Sequence, residues 1–223
     1  EFRRVLFRST PQFLTPDFPR INGTLAGTAR LDSSWLDVRV TDGDFTHRDG
    51  DAPESRFRGR GRLTDGPVEM SYELVAAATP LSFTALAKSY PAVPLRGEFS
   101  GPIRARGSLS DLTLGGDLVG RAGRIESDLR IDAVAPFYRV AGRVNLSGFD
   151  PRMATDLARA PSGELTARAS LEIAGDSLAD LRGSAEFGVD RSTLEGVRIF
   201  VGDARLRFVD GRAHLDTLHL ESS

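Results

Sequence analysis

The chain has no cysteine in its 223 residues. Disulfides, thiolate metal sites and thiol nucleophiles are therefore excluded, and the absence suits the cytosol and a cell envelope equally. Lysine is nearly missing too: Lys88 is the only one, and every other basic residue is an arginine. No apolar run approaches the roughly 20 residues that a membrane-crossing helix needs, and no signal peptide opens the chain. Charge of one sign is also lacking. The net charge is −2, so no global field recruits nucleic acid. Neither a phosphate-cradling loop nor a nucleophile elbow occurs. His47, His214 and His219 form no metal pattern, and Asp42, Asp44, Asp49 and Asp51 lack the spacing of a calcium loop. No cofactor is implied, and the chain reads as a non-enzyme.

What is present is alternation. In 164–174, Leu165, Ala167, Ala169, Leu171 and Ile173 fall on one side of a strand, with Thr166, Arg168, Ser170 and Glu172 on the other. The same period of two runs through Leu36, Val38 and Val40; through Val68, Met70, Tyr72 and Leu74; through Tyr138, Val140, Val144 and Leu146; and through Ala204, Leu206 and Phe208. Asp42-Gly43, Asp65-Gly66, Gly115-Gly116 and Asp210-Gly211 are read as tight turns. About 14 strands joined in this way make an antiparallel meander, because parallel pairs need long crossovers. Two segments switch to a helical period. Phe83, Leu86, Ala87 and Tyr90 follow a capping Ser82, and Met153 and Leu157 follow a capping Asp150 with Pro151 in the first turn.

A degenerate repeat is expected. Gly101-Pro-Ile-Arg-Ala-Arg-Gly-Ser-Leu109 aligns with Gly163-Glu-Leu-Thr-Ala-Arg-Ala-Ser-Leu171, and each copy follows one of the short helices. Residues 1–19 are weakly patterned and read as a leader whose first ten residues match nothing downstream. Residues 20–223 read as one β segment of a longer chain. Arg56, Arg58, Arg60 and Arg62 share one strand face. They fit either lipid phosphates or a solvated face paired with acids on neighbouring strands, such as Glu69 and Glu73. Alternation alone is compatible with a sandwich, a barrel or an open trough.

The run Pro80-Leu-Ser-Phe-Thr-Ala-Leu-Ala-Lys-Ser-Tyr-Pro-Ala-Val-Pro-Leu-Arg-Gly-Glu-Phe-Ser-Gly101 resembles the TamB family of AsmA-like envelope proteins. So do Gly175-Asp-Ser-Leu-Ala-Asp-Leu-Arg-Gly183, Ser192-Thr-Leu-Glu-Gly196 and Leu206-Arg-Phe-Val-Asp-Gly-Arg-Ala-His-Leu-Asp-Thr-Leu-His-Leu220. The resemblance covers about residues 20–223 and rests on strand and glycine rhythm. It implies an all-β fold: a long antiparallel sheet curled into an open hydrophobic groove, with two short helices. It further implies a periplasmic segment of a diderm envelope protein whose inner-membrane anchor lies elsewhere, and which moves phospholipid between the two membranes. A BamA-like outer-membrane barrel is the implied protein partner, and assembly or secretion of outer-membrane proteins an alternative role. A purely structural β-repeat is a second alternative. Under the lipid reading, the groove is lined by Val68, Met70, Tyr72, Leu74, Ile125, Leu129, Ile131, Val140, Val144, Leu146, Leu165, Ala167, Leu171, Ile173, Phe187, Val189, Ile199, Leu206 and Phe208.

Overall fold

Alternating side chains can be buried on one side only, so such strands must share a face, and here they share a single sheet. The structure is a computed structural model that describes residues 3–9, 22–34, 37–66, 69–89, 95–134, 138–175 and 180–223. Its strands are β1 (Arg3–Ser9), β2 (Thr24–Ser34), β3 (Asp37–Arg48), β4 (Ser55–Thr64), β5 (Ser71–Ser82), β6 (Glu98–Ser108), β7 (Leu112–Gly120), β8 (Gly123–Asp132), β9 (Tyr138–Phe149), β10 (Gly163–Gly175), β11 (Arg182–Val189), β12 (Ser192–Leu194), β13 (Val197–Val209) and β14 (Arg212–Ser222). Helix α1 (Phe83–Ser89) joins β5 to β6, and α2 (Pro151–Ala154) joins β9 to β10.

All fourteen strands belong to one antiparallel sheet in nearly sequential order. Strand β11 pairs with Ala167–Ala174 of β10 and β12 with Gly163–Glu164, so the two short strands share one place, interrupted at Asp190-Arg191. Thirteen places at about 4.8 Å give a ribbon about 60 Å long. The hairpin at Asp210-Gly211 turns through two positive φ angles, +48° and +71°, which matches the right-handed twist of the strands it joins. Glu195-Gly196 does the same with +48° and +80°.

Two expected turns lie inside strands instead. Asp42-Gly43 sits in mid-β3, where the register with β4 slips between Val40 and Gly43. Gly115-Gly116 sits in mid-β7, paired with Asp128 and Ser127 of β8. Glycines and bulges inside strands mark bends and close backbone approach rather than reversals. Gly59 shows the approach directly: a Cβ there would stand 2.3 Å from the Val75 carbonyl oxygen and 2.6 Å from the Ala76 Cα.

Both helices start where expected. The Ser82 hydroxyl accepts the Ala85 N–H at 3.1 Å, and the Asp150 carboxylate accepts those of Arg152 and Met153 at 2.9 and 3.2 Å. These contacts satisfy donors that a helix N-terminus otherwise leaves unpaired. The second helix is shorter than its pattern suggests. Thr155 turns extended (φ −133°) and bridges to Leu95, which leaves Met153 and Leu157 exposed rather than sharing a buried face.

Because the strands alternate in direction, the β5–β6 and β9–β10 connections fall on the same long rim of the ribbon. The closed core lies there, under the helices: Ala78, Leu81, Phe99, Leu118, Ala122, Ile125, Phe149 and Ala154 are buried together. Phe83 of α1 meets Phe99 edge-to-face at 5.4 Å. The repeat is visible in this placement, with the two helices four strand places apart. Gly101 and Gly163, equivalent in the aligned segments, both take positive φ (+152° and +131°). Leu36, Val68 and Tyr90 lie outside the described residues.

Phe99→Ala should cost about 3–5 kcal/mol, read from urea unfolding. Gly59→Val should lower the midpoint clearly, whereas Gly115→Ala, with only the Ser127 carbonyl near at 3.6 Å, should stay within about 0.5 kcal/mol of the parent.

Candidate functional site: an uncovered apolar face

Pairing register turns the alternation into rows that run along the ribbon. One row reads Val40, Gly61, Leu74, Ala105, Leu114, Leu129, Gly142, Leu171, Ala185, Leu206 and Leu215. The next, further from the helices, reads Val38, Leu63, Tyr72, Gly107, Leu112, Ile131, Val140, Ile173, Gly183, Phe208 and Ala213. On the helix side runs Gly43, Gly59, Ala76, Ile103, Gly116, Ser127, Val144, Ala169, Phe187, Ala204 and Leu218. None of these rows contains a charged residue.

No second sheet covers them among the described residues. Leu129, Ile131, Val140, Leu171, Ile173, Leu206 and Phe208 are half-buried by their neighbours alone, and Leu74 is 39% exposed. The total accessible surface makes the same point. It is 14294 Å², where a compact monomer of 24.1 kDa would show about 10,000 Å². The sheet is a curled, open trough with an apolar lining.

The nominated residues separate into two groups. Tyr72, Leu74, Leu129, Ile131, Val140, Ala167, Leu171, Ile173, Phe187, Val189, Leu206 and Phe208 line the trough. Met70 stands half-buried just before β5. Ile125 is instead part of the closed core, and Val144, Leu146 and Leu165 pack against it. Ile199 is buried opposite Ser192 near the helix rim. Lining residues outside the expected set include Val38, Val40, Leu63, Leu112 and Leu114. The first two alternate visibly; the last two were obscured by the glycine pair that follows them. Leu215 and Leu218 are three apart because the register slips at Asp216, which breaks a period of two.

The opposite face is charged and ion-paired. A row through Arg39, Arg62, Glu73, Arg106, Thr113 and Arg130 lies back to back with the apolar ones. Three of the four stripe arginines have acidic partners: Arg56 with Glu54, Arg58 with Asp44, Arg62 with Asp37. Glu69 instead bonds Ser110, and Glu73 acts on Arg62 only at longer range. The stripe is therefore largely a solvated ion-pair surface, with partners different from those expected. Of the four aspartates considered for calcium, Asp44 in β3 pairs with Arg58 and Asp51 in the β3–β4 connection with Lys88. Among the described residues, no three His, Asp or Glu side chains gather to hold a metal ion.

One of these pairs is bidentate. Arg62 donates Nε and Nη2 to Asp37 at 2.7 and 2.6 Å, and with Arg39 beside it this holds the Asp37 carboxyl down at about 2. Shallow depressions lie on this polar face; one, about 490 Å³, is lined by Arg39, Arg60, Arg62, Glu73 and Val75. No protein-family model, curated protein or solved structure matches the chain.

A carboxyl whose folded value is depressed stabilises above its unfolded value and loses that contribution as pH falls through the folded one. The Asp37 carboxyl should titrate by NMR with a midpoint of about 2, and Arg62→Gln should move it back up towards the ordinary carboxylate range.

Proposed function

We propose that this chain carries the acyl chains of phospholipids along its trough, as a periplasmic segment of a TamB-like bridge between the inner and outer membranes. The supporting observation is the continuous uncharged face that no second layer covers among the described residues. A soluble monomer seldom shows a contiguous apolar patch larger than a few hundred Å², and each 100 Å² left in water forgoes about 2.5 kcal/mol. Hydrocarbon chains match such a surface because they need no directional partners, and the lining offers almost none. The rows run across the strands, so a chain lying along them meets the same chemistry at every step. Such a surface favours passage over capture at one point.

The test is extraction and transfer. Phospholipid should co-purify with the chain, and the chain should move fluorescent phospholipid between donor and acceptor vesicles. Leu171→Asp places a carboxylate in the lining and should cut transfer by more than about tenfold, since desolvating a charge costs several kcal/mol. Ser170→Asp, its neighbour on the polar face, should leave transfer unchanged. Lipid-free protein with equal transfer by both variants would favour a structural repeat. Unfolding of Leu171→Asp alone would mean the face is a closed core.

A further inference from the structure

The polar face is not neutralised evenly. Between β7 and β14, Arg124, Arg130, Arg168, Arg205 and Arg207 each stand within 3.5 Å of an Asp or Glu. Over β4 to β6 the pattern breaks. Arg60, Arg104 and Arg106 are exposed, and none of them makes an ion pair or hydrogen bond with a described residue.

Pairing register gathers these three into one block. Arg60 and Arg104 flank Val75 in one row, and Arg62 and Arg106 flank Glu73 in the next. Arg39 extends the second row from β3. The corners of the block lie about 10 Å apart across the strands and about 7 Å apart along them. Only two carboxylates are near these arginines. Asp37 is already held by Arg62 and Arg39 at 2.6 and 3.2 Å, and Glu73 acts on Arg62 at longer range. The surface dips over β4 into the depression of about 490 Å³, where Arg39, Arg60 and Arg62 stand beside Thr41 and Val75. Val75 is 38% exposed, an apolar side chain that offers the guanidinium groups no competing acceptor. Like charges gathered on neighbouring strands repel, and an anion laid over them removes that repulsion.

We propose that this block binds an anion bearing a phosphate monoester or a similar multiply charged phosphate group. A guanidinium is a planar fork that meets two phosphate oxygens at once. A phosphate monoester brings a charge of about −1.5 to −2 and three strong acceptor oxygens, enough to serve more than one arginine. A carboxylate has one charge to share, and Asp37 spends it largely on Arg62. The site is independent of the trough's occupant, because a lipid against the lining lies on the other side of the sheet. Phosphorylated solutes and monoester headgroups of a membrane surface share the chemistry that this block recognises.

The test has two arms. Binding of inorganic pyrophosphate to the whole chain is read by titration calorimetry at low salt, and flotation compares vesicles containing phosphatidic acid with vesicles of phosphatidylcholine alone. Arg60→Gln and Arg104→Gln should each weaken binding at least about fivefold. Arg60→Lys should weaken it less than Arg60→Gln, since the charge stays and the fork is lost. Arg124→Gln removes an arginine of the same face that Asp117 and Glu126 already partner, and should leave binding unchanged. Saturable pyrophosphate binding with this order of variants supports the site with a soluble ligand. The same order seen only with phosphatidic acid vesicles supports it with a headgroup as the source. Equal weakening by Arg124→Gln, no weakening by Arg60→Gln and Arg104→Gln, or no binding in either arm overturns it.

Discussion

A sheet with one apolar side needs something to lie against, and in most domains that is another layer of secondary structure. Among the described residues the internal cover is two short helices on one rim, shielding the ends of β5 to β10. Everything else follows from that shortage. The large residues of the lining are half-buried by one another rather than enclosed, and the surface exceeds that of a compact chain. Small residues occupy one stretch of the helix-side row, where Gly43, Gly59 and Ala76 let backbones come close. The stability of the fold is consequently local: each strand depends on its two neighbours, as in other quasi-one-dimensional proteins.

The charged side answers a different need. Exposed ion pairs add little individually, yet a sheet face carrying so many arginines would repel itself without them. Asp37, Asp44, Asp111, Asp117 and Glu186 each face an arginine on the same or an adjacent strand. This distribution also disfavours register slips, because moving a strand by one residue would carry its charges into the lining. The two faces thus specify register together, one by excluding charge and the other by requiring it in pairs.

Much of this was legible in the sequence. A period of two survives wherever a strand is regular, so Leu165 to Ile173 and Leu206 to Phe208 could be assigned to a face from spacing alone. Helix starts were legible because Ser82 and Asp150 cap by chemistry confined to three or four residues. Bends were less so. Asp42-Gly43 and Gly115-Gly116 have the composition of a reversal, and only pairing with a neighbouring strand distinguishes a curve from a turn. Glu195-Gly196 makes the reverse case, a tight reversal whose first residue is not a usual turn former. The division of the apolar residues into closed core and open lining could not be read at all. Ile125 and Ile131 are alike in type and spacing, and they differ in that Ile125 joins the closed core on the helix side while Ile131 does not.

The position of those helices has an arithmetical consequence. They stand on the same side because four strand places, an even count, separate β5–β6 from β9–β10. Insertion or loss of one strand between them would transfer the second helix to the far side and set the two walls facing each other across the mouth. A ribbon of this design can therefore lengthen or shorten between its helices only in pairs of strands, so descent by duplication should leave whole hairpins, never single strands, as its unit of change.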